Sequence, residues 1–188
     1  LTELTSVPKV WAQTKGQSID EAIRLLSRMI QHLAALNGMV MENMTRSYAW
    51  RFLEMGRRLE RVRHLSKLIR QLATRDTPET TGALNLLLEL ADGSITYRTR
   101  YKAEAKLAAV LDLLLADETN PRSIIFQLLT FEAHINTLPR EETSASLNPA
   151  QRVTTRTCTD IRLADMMQLA EFNKKTRVRV NLERLLKQ

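Results

Sequence analysis

Between residues 19 and 73 apolar side chains recur every three or four positions, first as Ile19, Ile23, Leu26, Ile30, Leu33, Val40 and Met44, then as Phe52, Met55, Leu59, Val62, Leu65, Leu68, Ile69 and Leu72. That period belongs to α-helices with one buried side. It predicts two long helices, the first about 40 Å long, that pack as neighbours. Ser18 and Glu21 form a capping box at the start of the first, and Thr45 to Ser47 supply a bend between the two. No run of useful length alternates with the period of a strand. Five glycines and few aromatics against abundant Leu, Ala, Met, Glu and Arg agree with this reading. The expected fold is all-α, a bundle of about six helices including the two long neighbours.

The rest of the chain fits one helical domain over residues 1–188, long enough for one substantial core. Residues 1–17, with Pro8 and Gly16, read as an irregular lead-in from which Trp11 packs back. Because the first residue is Leu1, the chain is expected to be a piece of something longer. Thr77 and Pro78 are an N-cap and first-turn proline for a helix through LNLLLELAD, which Gly93 interrupts. The next helix, KLAAVLDLLLAD, directs Leu107, Val110, Leu111 and Leu114 inward. Asn120 and Pro121 repeat the capping device for a helix bearing Ile124, Leu128, Phe131 and Ile135 and ending near Pro139. A loop at 140–148 precedes a helix that opens at Asn148 and Pro149 and runs through MMQLAEF, and residues 176–187 form a basic tail helix.

A net charge of +7 and a pI of 9.9 permit nucleic acid, acidic proteins or an anionic membrane surface as partners, and select none of them. The lone Cys158 makes no internal disulfide, which fits a reducing cytoplasm, the expected compartment. No apolar run approaches the roughly 20 residues of a membrane span, and no signal-peptide pattern is present, so no membrane partner is expected. There is no Gly-rich phosphate loop, no HExxH and no Cys or His cluster with zinc spacing. Di-iron bundles need Glu-x-x-His, whereas Glu60 and His64 are four apart and Glu132 and His134 two apart. No metal and no cofactor are expected.

Functional-looking side chains concentrate in ENMTRSYAWRFLEMGRRLERVR, residues 42–63. At about 100° per residue, Phe52, Met55, Leu59 and Val62 share the core side. Gly56 flanks it, where a second helix or a ligand would approach; Glu60 and Arg63 lie at its border and are expected to be partly buried, while Glu54, Arg57 and Arg61 point away. Two readings stay open. Arg57, Arg58, Arg61 and Glu60 are a solvated face of pairs worth a few tenths of a kcal/mol each, or Glu60 and its arginines bind an anionic ligand or a partner protein through the planar guanidinium fork.

Tyr97, Arg98, Arg100 and Tyr101 combine basic and aromatic groups that stack on bases and neutralise phosphates, unless the tyrosines are half-buried with bonded hydroxyls. No RNA-binding motif surrounds them, and no affinity for nucleic acid is expected. Arg122, in the first turn of its helix, opposes the helix dipole. It marks a partner site unless Asp117 or Glu118 neutralises it.

The segments ENMTRSYAWRFLEMGRRLERV, LLELADGSITYRTRY, VLDLLLADETNPRS and FQLLTFEAHINTLP, in this order and spacing, resemble the bacterial alpha-E domain family, most closely over residues 40–139. The resemblance implies a helical domain encoded with, or fused to, a circularly permuted ATP-grasp protein, often beside a transglutaminase-like peptidase, in an amide-ligase or peptide-modification system. It implies no established activity for the domain itself. Its signature positions would be Arg57, Arg58 and Glu60, then Tyr97, Arg98, Arg100 and Tyr101, then Asn120, Pro121, Arg122 and Ser123. The family's domain extends further at both ends and repeats a GR-x-LER-like helix that this chain shows once. Ser47 and Tyr48 stand where a glycine-rich bend is usual, and Gly93 where a serine is.

The leading expectation is therefore an accessory domain that docks the ATP-grasp protein or an acidic peptide. One alternative is an enzyme with Glu60 as general acid or base and the arginines holding a carboxylate or phosphate; another is a basic nucleic-acid-binding module. The oligomeric state is left open. A single site requires Glu60, Tyr97, Arg98, Arg100 and Arg122 to converge.

Overall fold

The computed structural model describes residues 19–75, 80–139 and 146–187. Among these residues the fold is all-α: nine α-helices, one π-helical turn and two isolated β-bridges. The count exceeds six partly because the chain starts a new helix after Gly93 and because the helix that opens at Pro149 stops at Leu163 and resumes at Met166. The chain divides into two compact units, Leu1–Trp50 and Arg51–Gln188.

The first unit holds helix α1 (Ile19–Asn43), whose first turn carries Asp20 and Glu21 against the positive end of the dipole. Its expected cap Ser18, the lead-in and Trp11 lie outside the described residues. The chain bends over 44–47, where Arg46 donates Nη2 to the Met41 carbonyl at 2.7 Å and places its guanidinium 4.5 Å from the Trp50 ring.

Helix α2 (Tyr48–Ala73) starts in the first unit and continues into the second. Its buried side differs from the apolar stripe read in the sequence. Met55, Leu65, Ile69 and Ala73 are buried, but Phe52 and Leu59 are exposed and Glu54 is buried instead. The reason is charge pairing along the helix. The Glu54 carboxylate accepts from Arg57 Nη1 at 2.8 Å and from Arg58 Nη2 at 3.1 Å, so it enters the interior neutralised twice. Gly56 is exposed, and a Cβ there would meet nothing within 4 Å, so among the described residues no second helix makes the close approach.

The core of the second unit is built around α5 (Leu107–Leu111) and the π turn Asp112–Ala116. Leu107, Val110, Leu111 and Leu114 are buried as expected, and so are Leu113 and Leu115. A segment apolar on nearly every side belongs at the centre of a bundle. The same cluster takes in Ile69 of α2, Leu84 and Leu87 of α3 (Thr80–Leu90), Tyr97 of α4 (Ser94–Tyr101) and Ile125 of α6 (Ile124–Asn136). Cys158 and Ile161 of α7 (Pro149–Leu163), Leu169 of α8 (Met166–Ala170) and Leu182 of α9 (Val180–Leu185) complete it. Each fully buried Leu or Ile contributes about 1.5–3 kcal/mol.

The breaks have local causes. After α3, Asp92 takes a left-handed conformation (φ 53°) while the Gly93 amide bonds the Leu88 carbonyl at 2.8 Å and the Asp92 amide bonds that of Glu89 at 3.0 Å. This is a Schellman ending in which an aspartate supplies the turn and Gly93 only follows it. The expected cap Thr77–Pro78 lies outside the described residues.

The cap of α6 is Ser123, not Asn120: the Ser123 hydroxyl accepts from the Phe126 amide at 3.1 Å. Asn120 is committed elsewhere, donating Nδ2 to the Leu113 carbonyl at 2.9 Å and accepting from the Arg122 amide at 3.0 Å. It closes the end of the π turn. Asn148 caps α7 as expected, in a full capping box with Gln151. The helix then stops at Leu163, and Asp165 caps the separate α8 through the Met167 and Gln168 amides.

The expected tail helix shortens to α9 because residues 173–178 turn back on themselves, with Arg177 left-handed (φ 52°). Arg179 is then buried, donating Nη1 to the Ala73 carbonyl and Nε to the Ala170 carbonyl, each at 3.1 Å. A cation at the carbonyl end of α2 satisfies acceptors that the helix leaves open. Among the described residues no helix is long and apolar enough to cross a membrane, and no group of three His, Cys, Asp or Glu side chains is placed to hold a metal ion.

Candidate functional site

Helix α2, the α3–α4 turn and the start of α6 enclose a half-open cleft of about 770 Å³. Val62, Leu65, Leu68 and Ile124 give it apolar walls, and Glu60, Arg61, His64, Asp92, Arg122 and Gln127 bring the polar groups. Beneath it lies a polar network: Arg58 Nη1 donates to Gln127 Oε1 at 3.0 Å, and Gln127 Nε2 donates to the Pro121 carbonyl.

The ions in the cleft are unequally matched. Arg122 pairs with Asp92, whose left-handed backbone turns it toward the α6 end. Glu60 stands 3.6 Å from Arg63, and their side chains are 74% and 81% exposed, so the partly buried border pair expected from the helix pattern is a surface pair. Such a carboxylate has none of the enclosure a general acid or base uses. The Arg61 side chain is exposed and has no ion pair or hydrogen bond among the described residues. Partial burial holds its pKa below the ordinary value, and the neighbouring Arg58, Arg57 and Arg122 lower it further against the opposing pull of Glu54. Its exposed guanidinium therefore lies among the like charges of Arg57, Arg58 and Arg122.

The other expected site residues lie elsewhere. Arg100 and Asn120 line a second cleft of about 410 Å³, where Arg100 pairs with Asp117. Burial raises the Asp117 pKa, but hydrogen bonds from the Thr119 hydroxyl and amide and from Arg100 outweigh it and leave the carboxyl below its ordinary range. The same contact raises the Arg100 pKa.

Tyr97 and Arg98 line a third cleft of about 220 Å³. The Tyr97 ring is buried, with its hydroxyl donating to the Glu104 carbonyl at 3.2 Å and accepting from the Lys106 amide at 3.0 Å. Tyr101 donates to Asp112 at 2.5 Å, and burial followed by that bond raises its pKa. With their rings 4.8 Å apart and their hydroxyls bonded, both tyrosines are built into the fold.

The expected convergence is thus divided three ways. Glu60 and Arg122 share the first cleft, Arg100 and Asn120 the second, Tyr97 and Arg98 the third; only Pro121 lines both the first and the second. Arg57 and Arg58 are held by Glu54 and Arg63 stays at the surface. Neither Asp117 nor Glu118 neutralises Arg122; Glu118 pairs with Arg162 at 2.6 Å. Sequence reasoning missed Asp92 and Gln127, and named Arg61 only as one of the arginines beside Glu60 that point away from the apolar side. The available signal for Arg61 was its place next to Glu60, one position past the edge of the apolar stripe.

The model of the Alpha-E family, described as a predicted alpha-helical domain with a conserved ER motif, matches residues 3–188. This chain belongs to the Alpha-E family. Uncharacterised proteins of Mycobacterium bovis and of two strains of Mycobacterium tuberculosis are each 30% identical to it over 145 residues. The overlap is 73% of this Alpha-E chain but 16% of each mycobacterial protein, so the chain spans a small part of the length of these relatives. No solved structure matches it. Two Glu-Arg pairs occur in the Alpha-E chain. Glu60–Arg61 lines the cleft of about 770 Å³, whereas Glu183–Arg184 lies on α9, with Glu183 paired to Lys187 at 2.8 Å.

Proposed function

We propose that this Alpha-E chain is a helical accessory domain of an ATP-grasp amide-ligase or peptide-modification system, and that the cleft beside Glu60–Arg61 docks a carboxylate-bearing segment of the partner protein or of its peptide. The observation that carries the reading is Arg61, a guanidinium with no ion pair among the described residues, in a cleft that also holds Arg122. Guanidinium groups bind carboxylates bidentately, and the apolar walls of the cleft suit the aliphatic part of such a segment. That the mycobacterial relatives are far longer than the matched region supports a role as one part of a larger machine.

The test is co-elution of the intact chain with a circularly permuted ATP-grasp protein from the same organism, at micromolar concentration. A complex is expected, weakened about tenfold or more by Arg61→Ala or Arg122→Ala and unchanged by Arg184→Ala. Absence of a complex, or equal weakening by all three substitutions, overturns the proposal.

A further inference from the structure

The apolar stripe that the sequence shows along α1 is not used by the cleft, and no residue of that helix is buried. Ile19, Ile23, Leu26, Ile30, Leu33, Asn37 and Val40 are spaced four and three residues apart in strict alternation. As a heptad this puts Ile23, Ile30 and Asn37 at the a positions and Ile19, Leu26, Leu33 and Val40 at the d positions. Ile19, Ile23, Leu26, Ile30 and Leu33 are each between 51% and 79% exposed. We propose that this seam pairs with the same seam of a second copy of the chain, as a parallel two-stranded coiled coil.

The seam specifies its occupant. A repeat of 3.5 residues keeps one narrow stripe facing one partner helix along its whole length. Isoleucine at a with leucine at d, as in the two middle heptads, packs best between two parallel strands. Asn37 is the one polar residue in the seam, and at an a position of a parallel pair it faces its own copy, which fixes both register and strand number. Of the flanking e and g positions, residues 20, 22, 27, 29, 34, 36, 41 and 43, only Asp20 is charged, so no charge code directs the helix to a different sequence. The 25 residues span between three and four heptads, about 37 Å of contact, which is the length such a pair needs.

The test uses the full chain. Sedimentation equilibrium at tens of micromolar is expected to give a dimer. Mild oxidation of Asn37→Cys should yield a covalent dimer about tenfold or more faster than that of Ala35→Cys, which lies on the outer side of the same helix. Combining Leu26→Glu with Ile30→Glu should weaken association about a hundredfold with helix content retained by circular dichroism. A monomer at these concentrations, a trimer or tetramer, or equal cross-linking of the two cysteine variants overturns the proposal. The cysteine pair decides the matter even where the glutamate variant unfolds.

Discussion

Arg58 and Gln127 stand 69 residues apart in the chain and are joined by one hydrogen bond of 3.0 Å, from the guanidinium Nη1 to the amide oxygen. The bond ties α2 to α6 directly under the cleft. It continues on one side to Glu54 and on the other to the Pro121 carbonyl. The Arg58 Nε is buried and has no hydrogen-bond partner among the described residues. The network therefore holds its geometry only while the Glu54 carboxylate remains in place.

Glu54→Gln is expected to lower stability by about 2–3 kcal/mol, less than for a fully enclosed pair because Arg57 and Arg58 keep some contact with water. Glu60→Gln, which removes a surface pair, should change it by less than about 0.5 kcal/mol. Urea unfolding midpoints of the two variants compare them directly. Equal losses would mean that Glu54 is not the anchor.

Arg61→Met should separate stability from binding. Because Arg61 is exposed, solvent screens its repulsion from Arg57, Arg58 and Arg122, so thermal stability is expected to stay level or rise slightly while partner binding falls. A stability loss above about 1 kcal/mol would show that Arg61 serves the fold.

The Asp117 carboxyl has a folded-state pKa below its ordinary 3.8. A depressed carboxylate stabilises the fold fully above its unfolded pKa, and the contribution disappears as pH falls through the lower folded value. Stability should therefore drop below about pH 4, and Asp117→Asn should be destabilised near neutrality with a shallower acid slope. Unfolding midpoints measured between neutral and strongly acid buffers test this; parallel acid slopes would remove Asp117 from the account.

Gly56→Ala is expected to stabilise the protein by about 0.5–1 kcal/mol, since the added methyl has open space and α2 gains helix propensity. A loss measured by thermal unfolding would reveal a close approach to the backbone at this position.

Cys158 is buried, and burial raises its thiol pKa to about 11 from 9.0. Alkylation at mildly alkaline pH should be slow in the native protein and rise steeply through the unfolding transition. Rapid labelling of the folded chain would contradict the packing of α7.

The helical fold was legible wherever apolar period and local chemistry agreed, as in LAAVLDLLLA and at the Asn148–Pro149 cap. It misled where polar groups pair inside. Glu54 was assigned to the outer face because periodicity weighs apolar side chains, whereas two arginines one turn later make its burial possible. Asn120 has the composition of a helix cap, but the carbonyl that claims it, Leu113, is exposed to it only by the π turn, which no propensity signals. The cleft was half legible for the same reason. Glu60 and Arg122 are recognisable as charged residues, while the left-handed Asp92 that faces Arg122 is set by how α3 ends.

The π turn also has a consequence for sequence length. The Asp117 amide bonds the Asp112 carbonyl at 3.0 Å, so these two residues stack one above the other, whereas on an α-helix they would be about 140° apart. That stacking lets Tyr101 and Arg100, neighbours on α4, each find its own aspartate. The segment works as a phase shifter in which the number of residues matters more than their identity. Deleting any one residue from 113 to 116 would return the helix to ordinary register, rotate one aspartate away from its partner on α4, and break that contact even though every participating side chain survived.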